Sequence, residues 1–271
     1  MILKTRFIIG LILAVLITTV LCIGGVALSI AIYLFLAIAV FEVWQAFHHV
    51  GIDLSRSALI FFVVMLPFAI HYFGIKGVLA LLMVTGILIF VTKVLRADLT
   101  LVSTSYTFFA LFYPCLMMSM LPMMLTFPGE AGRLALVVTL VCACVTDMFA
   151  YFAGMLFGKH KLCPKISPKK TVEGAIGGTV GGIAASILVG YLIQPVLGTS
   201  VSLLHMAMLG LVSAVAGQIG DLSASLVKRN VGIKDFGKIF PGHGGVMDRL
   251  DSILFVAPLV YCYFSLVLLA A

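Results

Sequence analysis

The chain has 271 residues, of which 63% are hydrophobic and only 10% are charged, and its mean hydropathy is +1.25. Soluble globular domains carry about 25% charged residues, so this composition excludes an ordinary soluble protein. At roughly 20 apolar residues per span, the length accommodates at most about ten spans and leaves no room for an additional soluble catalytic domain of about 100 residues. The chemistry of this protein therefore takes place in or at a membrane.

Apolar windows follow one another along almost the whole chain. A single helix over residues 7–44 would be about 57 Å long, nearly twice the hydrocarbon thickness of a bilayer, so we predict a hairpin that breaks at Gly24-Gly25. The further windows are 57–72, 77–92, 101–121, 134–157, 175–193, 205–226 and 247–270. The pattern predicts an all-α integral membrane protein, a polytopic bundle of about nine transmembrane helices. We expect one membrane domain over 1–271, with N-terminal spans in 1–133 and catalytic spans and cytoplasmic loops in 134–271.

The charge distribution predicts the orientation. If the N-terminus is cytoplasmic, all of the 17 Lys and Arg residues except Lys76 and Arg133 fall on the cytoplasmic side, as the positive-inside rule requires. The two large cytoplasmic loops are then 158–174 and 228–245. Because the net charge of +7 follows from topology, it indicates contact with membrane lipids and gives no reason to expect a nucleic acid partner.

Carboxylates interrupt or border the apolar windows at a few places. They are Glu42, Asp147, Asp221, Asp248 and Asp251. A carboxylate at membrane depth is costly and persists where it has a partner or a function. Glu42 lies near a cytoplasmic helix end, where we expect water to solvate it. For Asp147, a hydrogen-bonded structural role and a functional role are both open.

The segment 221–251 concentrates the polar residues. One face of the helix that leaves the membrane carries, at helical spacing, Asp221, Ser225, Lys228 and Arg229. The loop that follows contains Lys234 and the glycine-rich run 241–245, whose glycines permit backbone conformations that turn amide groups toward an anion. Asp248 and Asp251 then stand at positions i and i+3 of a helix, about 5 to 6 Å apart on one face.

This combination predicts phosphate chemistry with a divalent metal. Carboxylate oxygens hold magnesium, the ion bridges phosphate oxygens, and lysine and arginine neutralise the remaining charge. The structural alternative is that Asp248 caps the last helix and that the cations only mark the cytoplasmic face. Since that alternative does not explain why acids, cations and glycines occur together within 31 residues, we favour the phosphate site.

A second basic loop, 159–174, precedes another span. It contains residue types that are typical of phosphate sites, namely Ser167, Lys169, Lys170 and Thr171. Their place before a helix N-terminus suits an anion. The alternative is a topology anchor that touches anionic lipid headgroups, and charge alone favours it.

Overlapping GxxxG ridges follow this loop. They consist of Gly174, Gly177, Gly178, Gly181 and Gly182. Such ridges predict a close contact between helices rather than a nucleotide loop, and the chain has neither GxxxxGK[ST] nor GxGxxG after a strand. The contact lies either within one chain or between two copies, so a homodimer is one of two expectations.

The segment 225–251 resembles the signature of a known enzyme family. It contains Ser225, Lys228-Arg229, Lys234-Asp235, Gly237, Pro241-Gly242-His243-Gly244-Gly245 and Asp248-Arg249-Leu250-Asp251. This 27-residue pattern is similar to that of the phosphatidate cytidylyltransferases, also called CDP-diacylglycerol synthases, without a departure at its fixed positions. The segments 147–151 and 167–174 resemble the same family, so the resemblance covers about the second half of the chain.

The resemblance implies an integral membrane enzyme that transfers CMP from CTP to phosphatidic acid. The products are CDP-diacylglycerol, an intermediate of phospholipid biosynthesis, and pyrophosphate. It also implies magnesium and a second cation such as potassium as cofactors. The expected step is a metal-assisted, in-line attack at the α-phosphate of CTP. The expected location is the bacterial inner (cytoplasmic) membrane, with the active site facing the cytoplasm.

The resemblance also assigns roles to individual residues. The implied catalytic residues are Asp221, Asp248, Lys228 and Asp251. The implied metal ligands are Asp221, Asp248, Asp251 and Asp147. The implied substrate-binding residues are Ser167, Lys169, Lys170, Thr171, Ser225, Arg229, Lys234, His243, Gly244, Gly245 and Arg249.

Other functions are open at the level of sequence. A transporter uses buried carboxylates to carry protons or cations, but it leaves the glycine and lysine loop without a role, and the chain shows no obvious inverted repeat. A lipid kinase or a CDP-alcohol phosphotransferase is a related alternative. The latter requires a denser cluster of aspartates on successive helical turns, which only Asp248 and Asp251 approach.

Overall fold

The chain is helical along most of its length. The computed structural model describes residues 2–96, 101–197, 202–240, 242 and 244–269. The helices are α1 (Ile2–Ile23), α2 (Gly25–His49), α3 (Arg56–Leu95), α4 (Leu101–Ala110), α5 (Met117–Met124), α6 (Ala131–Phe157), α7 (Val172–Leu197), α8 (Leu203–Asn230) and α9 (Met247–Tyr263). Between α6 and α7, β1 (Lys161–Cys163) pairs antiparallel with β2 (Ser167–Thr171). The predicted all-α class is confirmed.

Several of these helices are suited to a bilayer. Within the described ranges, seven helical stretches are long and apolar enough to cross a membrane. They are Gly25–His49, Arg56–Leu95, Leu101–Met124, Ala131–Phe157, Val172–Val196, Leu203–Asn230 and Met247–Leu268. The chain is therefore an integral membrane protein. The count of nine spans and the cytoplasmic N-terminus stay predictions, and residue 270, where the last predicted span ends, lies outside the described residues.

Glycines with positive φ interrupt the N-terminal helices. The predicted break between α1 and α2 is confirmed, because Gly24 has φ 64° there. Within α3, Gly74 (φ 56°, ψ −135°) is not helical. A Cβ atom at Gly77 would lie only 2.2 Å from the carbonyl oxygen of Ala69, whereas eight residues of straight helix rise about 12 Å. The chain therefore doubles back at Gly74, between two apolar windows of the sequence.

The helices form two compact units, and the boundary between them falls within α9. The first unit comprises Met1–Thr126 with Asn230–Arg249, and the second comprises Phe127–Arg229 with Leu250–Ala271. Large apolar side chains that are less than 2% exposed fill the first unit, among them Phe47, Phe62, Leu66, Ile89, Leu111 and Met118. A π-helical turn at Leu111–Leu116 joins α4 to α5. This turn contains Pro114, which has no amide hydrogen to donate to the helical ladder.

In the second unit, α7 packs along α6 through the predicted glycine ridges. A Cβ atom at Gly177 would lie 2.3 Å from Ala153 Cβ, and one at Gly178 would lie 2.8 Å from the carbonyl oxygen of Thr146. The backbones approach this closely because glycine has no side chain. The predicted close helix contact is confirmed, and it lies within one chain. The homodimer stays a prediction.

Polar side chains connect α8 to α7 in the same unit. The Ser186 hydroxyl donates to the carbonyl oxygen of Met206 over 2.7 Å. The Gln218 side-chain amide donates to Thr179 Oγ1 over 3.1 Å. Hydrogen bonds of this kind satisfy polar groups that water does not reach in the bilayer. They fix α8, which carries several of the predicted site residues, against α7.

Replacing Gly178 by alanine is expected to destabilise the protein. The new methyl group would meet Ala150 Cβ and the Thr146 carbonyl oxygen, each at 2.8 Å, and such overpacking costs about 1–3 kcal/mol. Gly86→Ala is the matched control, because the nearest atom to a Cβ there is 3.4 Å away. Thermal unfolding in detergent should show a lower midpoint for Gly178→Ala only. Equal midpoints in the two variants would contradict the tight contact.

Candidate active site

A salt bridge joins the β-hairpin to α8 in the second unit. Lys170 Nζ lies 2.6 Å from Asp221 Oδ2, and the two side chains are 25% and 29% exposed. Partial burial reduces solvent screening, so this pair interacts more strongly than a fully exposed one. The structure thus brings together a predicted phosphate-binding lysine and a predicted metal ligand from different elements.

A glycine contact brings α8 against α9 near the same aspartate. A Cβ atom at Gly220 would lie 2.5 Å from the carbonyl oxygen of Asp251. Because the two helices approach so closely, Asp221 interacts electrostatically with Asp251. Asp147 and Lys228 also interact electrostatically with Asp251. Lys228 is only 9% exposed, and a buried ammonium group requires nearby carboxylates.

We call this group the carboxylate–lysine cluster. It consists of Asp147, Lys170, Asp221, Lys228 and Asp251. The cluster gathers all the predicted catalytic and metal-binding residues that belong to the second unit. The Ser252 hydroxyl donates to Asp147 Oδ2 over 3.0 Å, so this acid has a hydrogen-bonded structural contact as well as a place in the cluster.

The β-hairpin is held at the start of α7 by side chains that bind backbone amides. Thr171 is buried, and its hydroxyl oxygen accepts from the Gly174 amide over 3.2 Å, which is an N-cap contact. Glu173 Oε2 accepts from the amides of Lys159 and His160 over 3.0 and 3.2 Å. The predicted loop 158–174 is therefore an ordered hairpin, and its second strand carries Lys170.

Four further predicted substrate-binding residues lie on these elements. On the hairpin, Ser167 is half-buried and Lys169 is exposed. On α8, Ser225 is half-buried. Arg229 is exposed, and its Nε donates to the carbonyl oxygen of Ile166 over 3.4 Å, so it connects the end of α8 to the hairpin turn. Their roles in substrate binding stay predictions.

The glycine-rich loop belongs to the first unit and closes around Asp248. This side chain is 5% exposed. Its Oδ2 accepts from the amides of Phe236 and Gly245 over 2.8 and 3.0 Å. Gly244 has φ 83°, and a Cβ atom there would lie 2.7 Å from the same oxygen. Both amides precede α9, so these bonds order the loop in front of the helix.

Glu42 on α2 holds the next amides along the chain. Its side chain is 2% exposed. Oε1 accepts from the Val246 amide over 3.1 Å, and Oε2 accepts from the Met247 amide over 2.8 Å. The expectation that water solvates Glu42 is wrong, because the start of α9 covers the carboxylate. A lone acid in an otherwise apolar helix was the available signal, but the sequence does not reveal a partner that is 204 or 205 residues away.

The remaining predicted residues of this loop differ in exposure. Lys234 and Arg249 are exposed, Gly244 is half-buried and Gly245 is buried. His243 lies outside the described residues. Their roles in substrate binding, and the role of Asp248 as a metal ligand, stay predictions.

Substitutions of Asp248 should separate its contact with the loop amides from its predicted role as a metal ligand. Asp248→Ala removes the acceptor of two loop amides, so we expect amide hydrogen exchange across 236–245 to become at least about tenfold faster. Asp248→Asn keeps one carbonyl oxygen that can accept both bonds, and its exchange should stay near that of the unmodified protein. Mass spectrometry measures the exchange rates of the loop amides in both variants. Slow exchange in Asp248→Ala would contradict the loop contact.

Comparison with known proteins agrees with the motif. The phosphatidate cytidylyltransferase of Bacillus subtilis (strain 168) is 31% identical to this chain. The match covers 97% of this chain and 98% of the Bacillus protein. The phosphatidate cytidylyltransferase of Thermotoga maritima is 31% identical over 51% of each chain, and that of Staphylococcus epidermidis is 39% identical over 43% of each chain. The model of the cytidylyltransferase family matches residues 4–267. The family resemblance is confirmed, and the chain belongs to the cytidylyltransferase family.

Proposed function

We propose that this protein transfers CMP from CTP to phosphatidic acid and so produces CDP-diacylglycerol and pyrophosphate. The observation that carries the proposal is the carboxylate–lysine cluster, in which Lys170 pairs with Asp221 and the buried Lys228 interacts with Asp251. Cations and carboxylates held together on membrane-spanning helices and the adjoining hairpin suit a reaction between two phosphates, one of which belongs to a lipid.

The two lysines suit phosphate oxygens. Lys228 is 9% exposed, and ammonium groups in partly desolvated surroundings stabilise phosphate charge more strongly than they do in water. Lys170 lies on a hairpin strand that is fixed to α7, so its position does not depend on a loose loop. Little covalent chemistry is required of the protein in phosphoryl transfer, and positioning with charge neutralisation provides most of the acceleration.

The acidic residues suit magnesium. Among the described residues, no three His, Cys, Asp or Glu side chains are arranged as a metal site. Magnesium, however, is usually held in proteins by one or two carboxylates together with substrate phosphates and water. The donor set of Asp221 and Asp251 fits this requirement, and we propose that these two residues hold the ion. When bound, the ion neutralises phosphate charge. A second cation such as potassium stays a prediction.

The proposed reaction is a single displacement at phosphorus. A phosphate oxygen of phosphatidic acid forms a bond to the α-phosphorus of CTP. The bond from that phosphorus to the oxygen that bridges to the β-phosphate breaks, and pyrophosphate leaves with the electron pair. We propose that Lys170 and Lys228 orient the phosphates and stabilise the charge on the transferring group. Because the positively charged loops are expected on the cytoplasmic side, we place the reaction at the cytoplasmic face of a bacterial inner membrane.

An apolar groove beside the cluster suits the lipid substrate. It lies between α7 and α8, has a volume of about 410 Å³ and is lined by Ile176, Val180, Val215, Ile219 and Leu222, among others. Leu222 directly follows Asp221 on α8, so one end of the groove and the cluster lie on the same turn of this helix. Within a bilayer, the apolar molecules that fill such a groove are acyl chains. We propose that one acyl chain of phosphatidic acid lies in the groove while its phosphate lies at the cluster.

Purified protein with phosphatidic acid, magnesium and labelled nucleoside triphosphates tests the reaction. We expect label from CTP to enter the lipid phase with release of pyrophosphate, and both to depend on magnesium. Asp221→Asn and Asp251→Asn, which each remove a proposed magnesium ligand, should lower turnover by at least about a hundredfold while the protein stays folded. Absence of lipid label with every nucleotide and cation would overturn the proposal and favour a transporter, and full activity of both variants would overturn the site.

A bulky residue in the groove should weaken binding of the lipid. Val215→Trp fills part of the groove, so we expect the KM for long-chain phosphatidic acid to rise about tenfold and the KM for CTP to change less than about twofold. Val212→Trp is the matched control, because Val212 lies on the same helix and is 46% exposed, similar to Val215 at 44%, but does not line the groove. Equal KM values for phosphatidic acid in the two variants would contradict the role of the groove.

A further inference from the structure

We infer that Glu42 is a positioning residue, whose carboxylate holds the glycine-rich loop and the first turn of α9 in the arrangement that binds the nucleotide. The part of this inference that concerns the nucleotide rests on the proposed function and on the predicted substrate-binding role of the glycine-rich loop. The part that concerns the loop depends only on the contacts of the first unit.

The carboxylate of Glu42 makes a two-point contact with the backbone. Each oxygen accepts from a different amide, Oε1 from Val246 and Oε2 from Met247, over 3.1 and 2.8 Å. At 2% exposed, the side chain has little access to water, so these amides replace its hydration. The amides lie at the N-terminus of α9, where the helix dipole favours a negative charge. Hydrogen bonds to a charged acceptor are also stronger than those to a neutral one.

The loop is shaped to enclose this carboxylate. A Cβ atom at Gly237 would lie 2.0 Å from Glu42 Oε1, and one at Gly245 would lie 2.2 Å from the same oxygen. Neither position has room for a side chain while Glu42 is in place. Two glycines that are separated by seven residues of loop therefore meet at one side chain from another helix, and this contact fixes how the loop folds back.

Glu42 also determines the surroundings of Asp248. The Gly245 amide binds Asp248, whereas the next two amides bind Glu42. Two carboxylates, one on α2 and one on α9, thus hold three consecutive backbone amides, and they are close enough to interact electrostatically. Their mutual repulsion is offset only while the amides are in position. Without the Glu42 carboxylate, the Val246 and Met247 amides lose their acceptor, and only the Gly245 amide of the three stays bound to a carboxylate.

A simpler role is that Glu42 only stabilises the first unit as a whole. The two roles differ in where a substitution acts. Loss of a positioning contact changes the loop 236–247 and the binding of the nucleotide. Loss of general stability lowers the fraction of folded protein, which lowers kcat and leaves both KM values unchanged.

The test compares Glu42→Gln with Asp53→Asn in the purified full chain. Glutamine has nearly the same size, but it presents one donor group where the loop requires two acceptors. Asp53→Asn removes the same charge from the loop after α2, where the Asp53 side chain is 80% exposed. Two quantities are measured. The first is amide hydrogen exchange in the loop 236–247 and in the helices of the first unit, and the second is the separate KM values for CTP and phosphatidic acid.

For Glu42→Gln we expect exchange at Val246 and Met247 to become at least about tenfold faster, with little change in α3 to α5. The KM for CTP should rise about tenfold, and that for phosphatidic acid should stay within about twofold. Asp53→Asn should leave both quantities unchanged. Unchanged exchange in the loop, or faster exchange throughout the unit with both KM values unchanged, would overturn the inference. If the unmodified protein does not use CTP, the proposed function fails, and the exchange measurement still decides whether Glu42 holds the loop.

Discussion

A carboxylate in a membrane-spanning helix requires a cation or hydrogen-bond donors, because water is scarce there and an unpaired charge is costly. In this protein, that requirement determines where the loops lie. Glu42 is satisfied by two amides at the start of α9, and Asp248 by two amides of the preceding loop. Asp221 is satisfied by Lys170 from the β-hairpin. The glycine-rich loop and the β-hairpin are therefore each held by an acid that belongs to a helix.

Glycine makes these pairings possible. Donors reach buried acids only where backbones approach closely, and the close approaches occur at glycines that have no side chain in the way. Gly220 lets α8 approach α9 beside Asp251, while Gly237 and Gly245 leave room for the carboxylate of Glu42. The glycines along α7 allow a similarly close approach to α6, where the neighbours are mostly small or apolar groups and backbone oxygens.

Much of this arrangement was predictable from the residues. Apolar windows predicted helices, since a bilayer admits few other structures, and the Gly24 break followed from the length of one window. The pattern in 221–251 predicted a phosphate site, and the GxxxG ridges predicted close helix packing. The β-hairpin was not predicted, because its two strands are short and polar. The role of Glu42 was not predicted either, since sequence distance conceals a contact between α2 and the start of α9.

The sequence by itself determined the class of protein, the polar segments and the family, because hydropathy, charge and a specific motif are local properties of the chain. Only the tertiary structure decided which acid is paired with which donor. Lys170 meets Asp221, and Glu42 meets the Val246 amide, through contacts between elements that are far apart in the chain. The physical reason is that such pairings depend on how closely helix backbones approach in space, and that approach is set by packing over whole helices.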